Sequence, residues 1–300
     1  MVRKILTTLI VFFTMSGSMQ AQSRVEHVFY QSSISETEDK RALNVYLPEG
    51  YDSTKETKYP VLYLLHGKGG DEYSWLIMGH ITQIMDSLIT ENKVRPMIVV
   101  MPNGNVEQGA ASTRSMMGRI ESHFVPEVMA YVETHYRTLN EKSHRAIAGM
   151  NLGGLHSLFI SANNPDKFDY VGLFSPQTTN ALSNGTINAV QGIYDAAENL
   201  PFFGGKLSSK LERKYGAKEN FDVYRNIDAK LKEQFEIPPR LYYIACDKED
   251  YIKNLVDIHR KRLDNAGYKY TYVETKGEHS WGVWRRYLID FLSRTNGLSK

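Results

Sequence analysis

From about Val25 onward, segments with the apolar pattern of strands alternate along the chain with segments that have the apolar spacing of helices. Short, nearly continuous apolar runs predict strands that are buried on both faces, and these runs cover Tyr59–His66, Pro96–Met101, Arg145–Ala148, Tyr170–Phe174 and Leu241–Cys246. Helical spacing of apolar residues predicts amphipathic helices between and after them, over Ile81–Thr90, Ile120–Tyr136, Leu152–Asn163, Tyr251–Ala266 and Trp281–Leu292. Alternating apolar and polar residues predict two further strands, Arg41–Leu47 and an edge strand over Tyr268–Glu274. This succession of strands and helices along the chain predicts an α/β fold with a mostly parallel central sheet flanked by helices.

One polar segment interrupts this alternation. Gln177–Pro238 has helical pieces and a Gly204-Gly205 break. We interpret it as an insertion that covers one side of the mouth of a site. No repeat or Pro/Ser-rich linker divides the chain, so residues 22–300 are expected to form a single domain.

The first residues have the pattern of a signal peptide. Arg3 and Lys4 precede an apolar run from Ile5 to Met15, and small polar residues follow. This predicts a leader over residues 1–21 with cleavage near Ala21, and therefore a secreted or periplasmic protein. The apolar run is too short to cross a bilayer, so no membrane anchor is expected.

Charge and cysteine content narrow the partners. Cleavage removes two basic residues and no acidic one, which lowers the formal net charge from +2 to zero. Without a basic excess, nucleic acid is not an expected partner. Cys246 is the only cysteine, so no internal disulfide forms; within its apolar run it is expected to be a small buried hydrophobic residue.

The most informative motif joins a predicted strand to a predicted helix. Gly149-Met150-Asn151-Leu152-Gly153 has the strand–turn–helix context of the G-x-S-x-G nucleophile elbow of α/β-hydrolases. Asn151 stands where that motif has its serine. An amide cannot be deprotonated by a histidine to attack a carbonyl. Ser157 and Ser175 do not replace it, because one lies nearly two helical turns away and the other follows a different strand.

The remaining members of a hydrolase triad follow in the expected chain order of nucleophile, acid and histidine. A predicted strand ends at Cys246 and leads into Asp247-Lys-Glu-Asp250. His279 lies in a later turn beside Gly277. Asp250 is the expected partner that holds the tautomer of His279, and Asp247 is the rival acid.

An oxyanion hole requires backbone N–H groups that point at a developing negative oxygen. One is expected from Leu152, directly after the nucleophile position, and one from the loop that follows an early strand. His66-Gly67-Lys68-Gly69-Gly70 fits this loop, with the Lys68 N–H as the best candidate. No Gly-Lys-Ser/Thr is present, which disfavours a phosphate-binding loop.

Four segments together resemble one esterase family. They are Tyr59-Pro-Val-Leu-Tyr-Leu-Leu-His-Gly67, Met97-Ile-Val-Val-Met-Pro-Asn-Gly104, Ala146-Ile-Ala-Gly149 and Gly277-Glu-His-Ser-Trp281. The chain is similar to esterase-D-type α/β-hydrolases, and within them to acetylxylan and feruloyl esterases of carbohydrate esterase family 1. The resemblance implies an α/β-hydrolase fold and a secreted serine esterase that acts on acylated plant polysaccharide, without a cofactor. It assigns Asp250 and His279 as acid and base, and Lys68 and Leu152 as oxyanion donors. The family elbow reads Gly-Leu-Ser-Met-Gly-Gly, so Asn151 replaces its serine.

Three interpretations of Asn151 remain open. In the first, the cleft binds an acylated glycan without cleaving it. In the second, it hydrolyses esters through a His279-activated water or a deamidated Asn151. In the third, the asparagine is an introduced inactivating substitution. We expect hydrolysis to be weak or absent.

Trp75 and Trp281, near the cleft loops, are candidates for stacking on a sugar or feruloyl ring, although core packing is an equally good interpretation. The nine histidines show no zinc-helix spacing, so no metal is expected.

Overall fold

The computed structural model describes residues 22–33, 40–53, 55–104, 119–177, 223–295 and 298. The predicted signal peptide and most of the predicted insertion, residues 178–222, lie outside the described residues.

The described strands form one eight-stranded sheet. They are β1 Arg24–Gln31, β2 Lys40–Leu47, β3 Val61–Leu65, β4 Ile98–Pro102, β5 Arg145–Met150, β6 Tyr170–Phe174, β7 Leu241–Asp247 and β8 Thr271–Thr275. Their order across the sheet is β1-β2-β4-β3-β5-β6-β7-β8. The strands from β4 to β8 in this order run parallel, whereas β1 and β2 pair antiparallel at one edge. The predicted mostly parallel sheet is therefore confirmed.

Helices connect most of these strands. We label them α1 Ser74–Ile77, α2 Ile81–Thr90, α3 (Arg119–His123, a π-helical stretch Phe124–Met129 and Ala130–His135), α4 Leu152–Asn163, α5 Ile227–Glu236, α6 Lys253–Ala266 and α7 Trp281–Ser293. In the described ranges, no helix has both the length and the apolar character that crossing a membrane requires.

The sheet separates two hydrophobic clusters. On one face, apolar residues of α3, α4, α5 and α6 pack against the sheet, among them Leu155, Phe159 and Val256. On the other face, α2 and α7 cover the sheet with residues such as Met85, Leu288 and Phe291. The central strands β3, β4, β5 and β6 are buried along their whole length, because helices lie on both faces.

The order of the strands determines where a ligand site is expected. β4 lies on one side of β3 and β5 on the other, so the strand order reverses at β3. In open α/β sheets, ligands bind outside the carboxyl ends of the strands at such a switch point. The loop after β3 and the turn after β5 both leave the sheet there, and these segments contain Lys68 and Asn151.

Candidate active site

Asn151 lies in the strained turn between β5 and α4. Its backbone has φ 54° and ψ −115°, a conformation that non-glycine residues rarely adopt. Two glycines allow the turn: a Cβ on Gly149 would collide with the Gly153 carbonyl, and a Cβ on Gly153 would collide with the Leu65 carbonyl. This is the geometry of a nucleophile elbow, in which one side chain is held at the end of the sheet in a sharp turn.

The carboxamide of Asn151 contacts both halves of the expected machinery. Its Nδ2 donates to Nε2 of His279 at 2.9 Å. Its Oδ1 accepts a hydrogen bond from the backbone N–H of Lys68 at 3.4 Å. The side chain therefore joins the expected base to an expected oxyanion donor, in the place where the nucleophile-elbow motif has a serine.

The structure pairs His279 with Asp250. The Nδ1 of His279 lies 3.0 and 2.9 Å from the two carboxylate oxygens of Asp250, whose side chain is fully buried. Asp247, the rival acid, instead accepts hydrogen bonds from the Glu249 N–H and the Thr275 hydroxyl. The geometry thus selects Asp250.

Asp250 is kept ionised despite its burial. Burial raises the pKa of its carboxyl, but the opposing effects, led by the hydrogen bonds from His279 and from the Ile252 N–H, leave the pKa below its ordinary value. An ionised Asp250 keeps the proton of His279 on Nδ1, so Nε2 is left as the basic nitrogen that faces Asn151.

The oxyanion loop after β3 is fixed by His66. This buried histidine donates from Nδ1 to the Gly67 carbonyl and accepts the Gly104 N–H at Nε2, both at 2.8 Å. Burial lowers the pKa of His66 to about 4, so the ring is neutral at pH 7. These two contacts tie the ring to the loop, so His66 holds the loop in place. Leu152, the other expected donor, is the first residue of α4.

A cavity of about 540 Å³ opens above Asn151 and His279. The Gly67–Gly70 loop, Met78, Tyr251 and Trp281 line it. Its size lies within the usual range of small-molecule sites, about 300–1,000 Å³.

Only one of the two tryptophans predicted to contact a ligand borders the cavity. Trp281 lines it, but Trp75 is 1% exposed and its indole donates to the Leu65 carbonyl at 3.0 Å. Its ring packs edge-on against Trp281 at 5.1 Å. The prediction that Trp75 contacts a ligand is therefore wrong, because its indole N–H finds its partner in the core. Through this contact, Trp75 supports the ring of Trp281.

Tyr251 is a site residue that the sequence did not reveal. Its side chain is 73% exposed, its ring lies 4.7 Å from the ring of His279, and its hydroxyl lies 3.4 Å from Nδ2 of Asn151. Its position directly after Asp250 is the one signal that places it at the site.

The two serines considered as substitutes for the nucleophile are both fully buried. Ser157 donates its hydroxyl to the Gly153 carbonyl within α4. Among the described residues, no three His, Cys, Asp or Glu side chains are grouped as metal ligands would be.

Comparison with known proteins agrees with this geometry. The sequence model of the family described as putative esterase matches residues 34–234. The endo-1,4-beta-xylanase/feruloyl esterase of Xylanibacter ruminicola is 37% identical over 140 residues, which are 45% of this chain and 19% of that protein. Endo-1,4-beta-xylanase Y of Acetivibrio thermocellus is 31% identical over 265 residues, or 84% and 21% of the two chains. This chain thus spans about a fifth of the length of these curated relatives.

A solved ferulic acid esterase is similar over nearly the whole chain. It is 25% identical, the match covers 93% of this chain and all of that one, and the TM-score is 0.69. The fold and the arrangement of Asn151, His279 and Asp250 define an α/β-hydrolase of the esterase type. The chain belongs to the putative esterase family, and its resemblance to feruloyl esterases of carbohydrate esterase family 1 is confirmed.

Proposed function

We propose that this protein binds acylated plant polysaccharide or oligosaccharide, bearing feruloyl or acetyl esters, in the cavity above Asn151, and that it hydrolyses these esters weakly or not at all. The observation that carries the proposal is the carboxamide of Asn151 at the elbow, hydrogen-bonded to His279 and Lys68 in a site whose acid–histidine pair is otherwise complete.

Loss of turnover follows from the chemistry of the amide. A serine hydroxyl loses its proton to histidine as it attacks, whereas an amide nitrogen is neither acidic enough nor nucleophilic enough for this step. Loss of a serine nucleophile typically lowers kcat by about a million-fold. The remaining turnover comes from the oxyanion donors and from substrate binding.

Retention of binding follows from the parts that remain. The cavity has aromatic walls at Tyr251 and Trp281 and an open mouth, which suits a flat aromatic acyl group attached to a larger glycan. The relatives named for xylanase and feruloyl esterase activity support this class of ligand. The predicted leader supports a location where such glycans occur, outside the cytoplasm.

The experiment is a paired measurement on protein whose residue 151 has been verified by mass spectrometry. Binding of methyl ferulate and of feruloylated and acetylated xylo-oligosaccharides is measured by calorimetry, and turnover of the same compounds by chromatography. We expect measurable binding with turnover close to the blank. An Asn151→Ala variant, which leaves the oxyanion donors free, should bind at least as tightly and remain inactive. Turnover typical of a serine esterase from the unchanged protein would refute the proposal, and absence of binding would reduce the chain to a scaffold.

The predicted location has a separate test. Fractionation of cells that express the full chain should recover a mature protein that begins at Gln22 outside the cytoplasm. Recovery of the uncleaved chain from the cytoplasm would contradict the predicted signal peptide.

A further inference from the structure

The carboxamide of Asn151 is oriented in the site as a substrate would be. In an esterase, the carbonyl oxygen of the acyl group faces the oxyanion donors and the leaving group faces the histidine. Here Oδ1 of Asn151 accepts from the Lys68 N–H, and Nδ2 lies 2.9 Å from Nε2 of His279. The carbon between them, Cγ, therefore has its oxygen at an oxyanion donor and its leaving nitrogen at the general acid–base.

We propose that Asn151 is a self-modification site, at which the His279–Asp250 pair directs hydrolysis of the Asn151 carboxamide to a carboxylate. The co-reactant is one water molecule from the cavity. Asn151 and His279 both line that cavity, so water reaches Cγ from the open side.

The steps balance as they do in amide hydrolysis. Nε2 of His279 exchanges its contact with Nδ2 for the water and takes a proton from it as the water oxygen bonds to Cγ. The negative charge develops on Oδ1, where the Lys68 N–H stabilises it. His279 then gives the proton to Nδ2, and the Cγ–Nδ2 bond breaks. The released ammonia takes the proton of the new acid, so a carboxamide and water become a carboxylate and an ammonium ion.

Asp250 makes this cycle possible. Its carboxylate, hydrogen-bonded to Nδ1, stabilises the positive charge that His279 carries between the two proton transfers. Such positioned proton transfer typically contributes about 10²- to 10⁴-fold to a rate.

A second route to the same residue predicts a different product. If the backbone nitrogen of Leu152 attacked Cγ, a cyclic imide would form, and its opening at either carbonyl would give a mixture of aspartate and isoaspartate. Attack by water gives aspartate alone. The Asn151-Leu152 sequence lacks the flexible glycine that favours ring closure, so we expect the water route.

The conversion changes the chemistry of the site. A carboxylate at the elbow places a negative charge beside His279 and repels free aromatic acids. Carboxylates also belong to the nucleophile classes that form covalent intermediates in enzymes.

Peptide mass spectrometry over time tests the proposal directly. Folded protein is incubated in ordinary and in ¹⁸O-labelled water, in parallel with protein unfolded in urea and with folded His279→Gln and Asp250→Asn variants. Asn163 is the internal control, because its Nδ2 donates to the backbone carbonyls of Phe159 and Val223, whereas Nδ2 of Asn151 donates to an imidazole. We expect residue 151 to become aspartate with one ¹⁸O atom, faster in folded than in unfolded protein. The His279→Gln variant should convert about a hundredfold more slowly.

Three outcomes would overturn the proposal. They are no faster conversion in folded than in unfolded protein, an unchanged rate in a His279→Gln or Asp250→Asn variant that circular dichroism shows to be folded, and isoaspartate as the main product. The mass measurement involves no ligand, so its failure leaves the proposed glycan binding untouched, and failure of binding leaves this proposal untouched.

Discussion

Two histidines lie beyond the carboxyl ends of the parallel strands and have different surroundings. His66 is 5% exposed, and both of its ring nitrogens are hydrogen-bonded to backbone groups. His279 borders the cavity, with a carboxylate at Nδ1 and the side chain of Asn151 at Nε2. A ring held on both sides by backbone fixes a loop, whereas a ring between a carboxylate and a cavity can move a proton. The role of each histidine therefore follows from its partners.

The largest effect is expected where the carboxylate partner of His279 is removed. In an Asn151→Ser background, Asp250→Asn should lower kcat by about 10⁴-fold, because the amide holds the wrong tautomer of the imidazole. Asp247→Asn is the matched control, since Asp247 accepts from the Glu249 N–H and the Thr275 hydroxyl and its loss should leave the tautomer of His279 unchanged. Steady-state kinetics with methyl ferulate measure both. Equal losses in the two variants would show that the assigned acid is wrong.

The next effect concerns His66 and the stability of the fold. Burial lowers its pKa to about 4, from about 6.5 in an unfolded chain. Between these two pKa values, His66 therefore binds a proton in the unfolded state but not in the folded state. The free energy of unfolding should be highest above about pH 6.5 and should fall as the pH decreases towards about 4.

The His66→Gln variant tests whether His66 causes this pH dependence. It removes the titrating ring, so its stability should decline less between neutral pH and about pH 5 than that of the parent protein. The slope should not vanish, because burial also lowers the pKa of His259, to about 3. At neutral pH the variant should be less stable by about 1–3 kcal/mol, the cost of disturbing buried hydrogen bonds. Urea titrations at both pH values measure this, and an unchanged slope would contradict the assignment.

The smallest effect concerns ligand preference. Tyr251→Ala should weaken binding of methyl ferulate by about two- to tenfold, the contribution of an aromatic pair, and Tyr251→Phe should retain most of it. Because Tyr251 is largely exposed, the melting temperature should barely change. Calorimetry with an acetylated xylo-oligosaccharide, which has no aromatic acyl group, is the control. An equal loss of affinity for both ligands would show that Tyr251 does not recognise the ring.

The sequence predicted those elements whose pattern is determined by burial. α2, α4 and β6 have the predicted bounds, because apolar spacing defines the helices and a continuous apolar run defines the strand. β1 was not predicted as a separate strand, since all but one of its residues are half-buried or exposed and its pairing with β2 is a tertiary interaction.

The site was predictable where chain order determines it and not where packing does. Motif order placed Asn151, Asp250 and His279 together, and the structure brings them within hydrogen-bonding distance. The choice between Asp250 and Asp247 required geometry. Nothing in the sequence shows that Trp75 turns into the core or that Tyr251 lies over His279.

We infer that only the hydroxyl is absent from an otherwise complete esterase site, and one ratio of turnover rates tests this inference. The turnover of methyl ferulate by the Asn151→Ser variant is divided by that of the parent protein, with residue 151 of both verified by mass. We expect a ratio that approaches the million-fold typical of a restored nucleophile. A ratio near one, from a folded variant that still binds the ester, would contradict it.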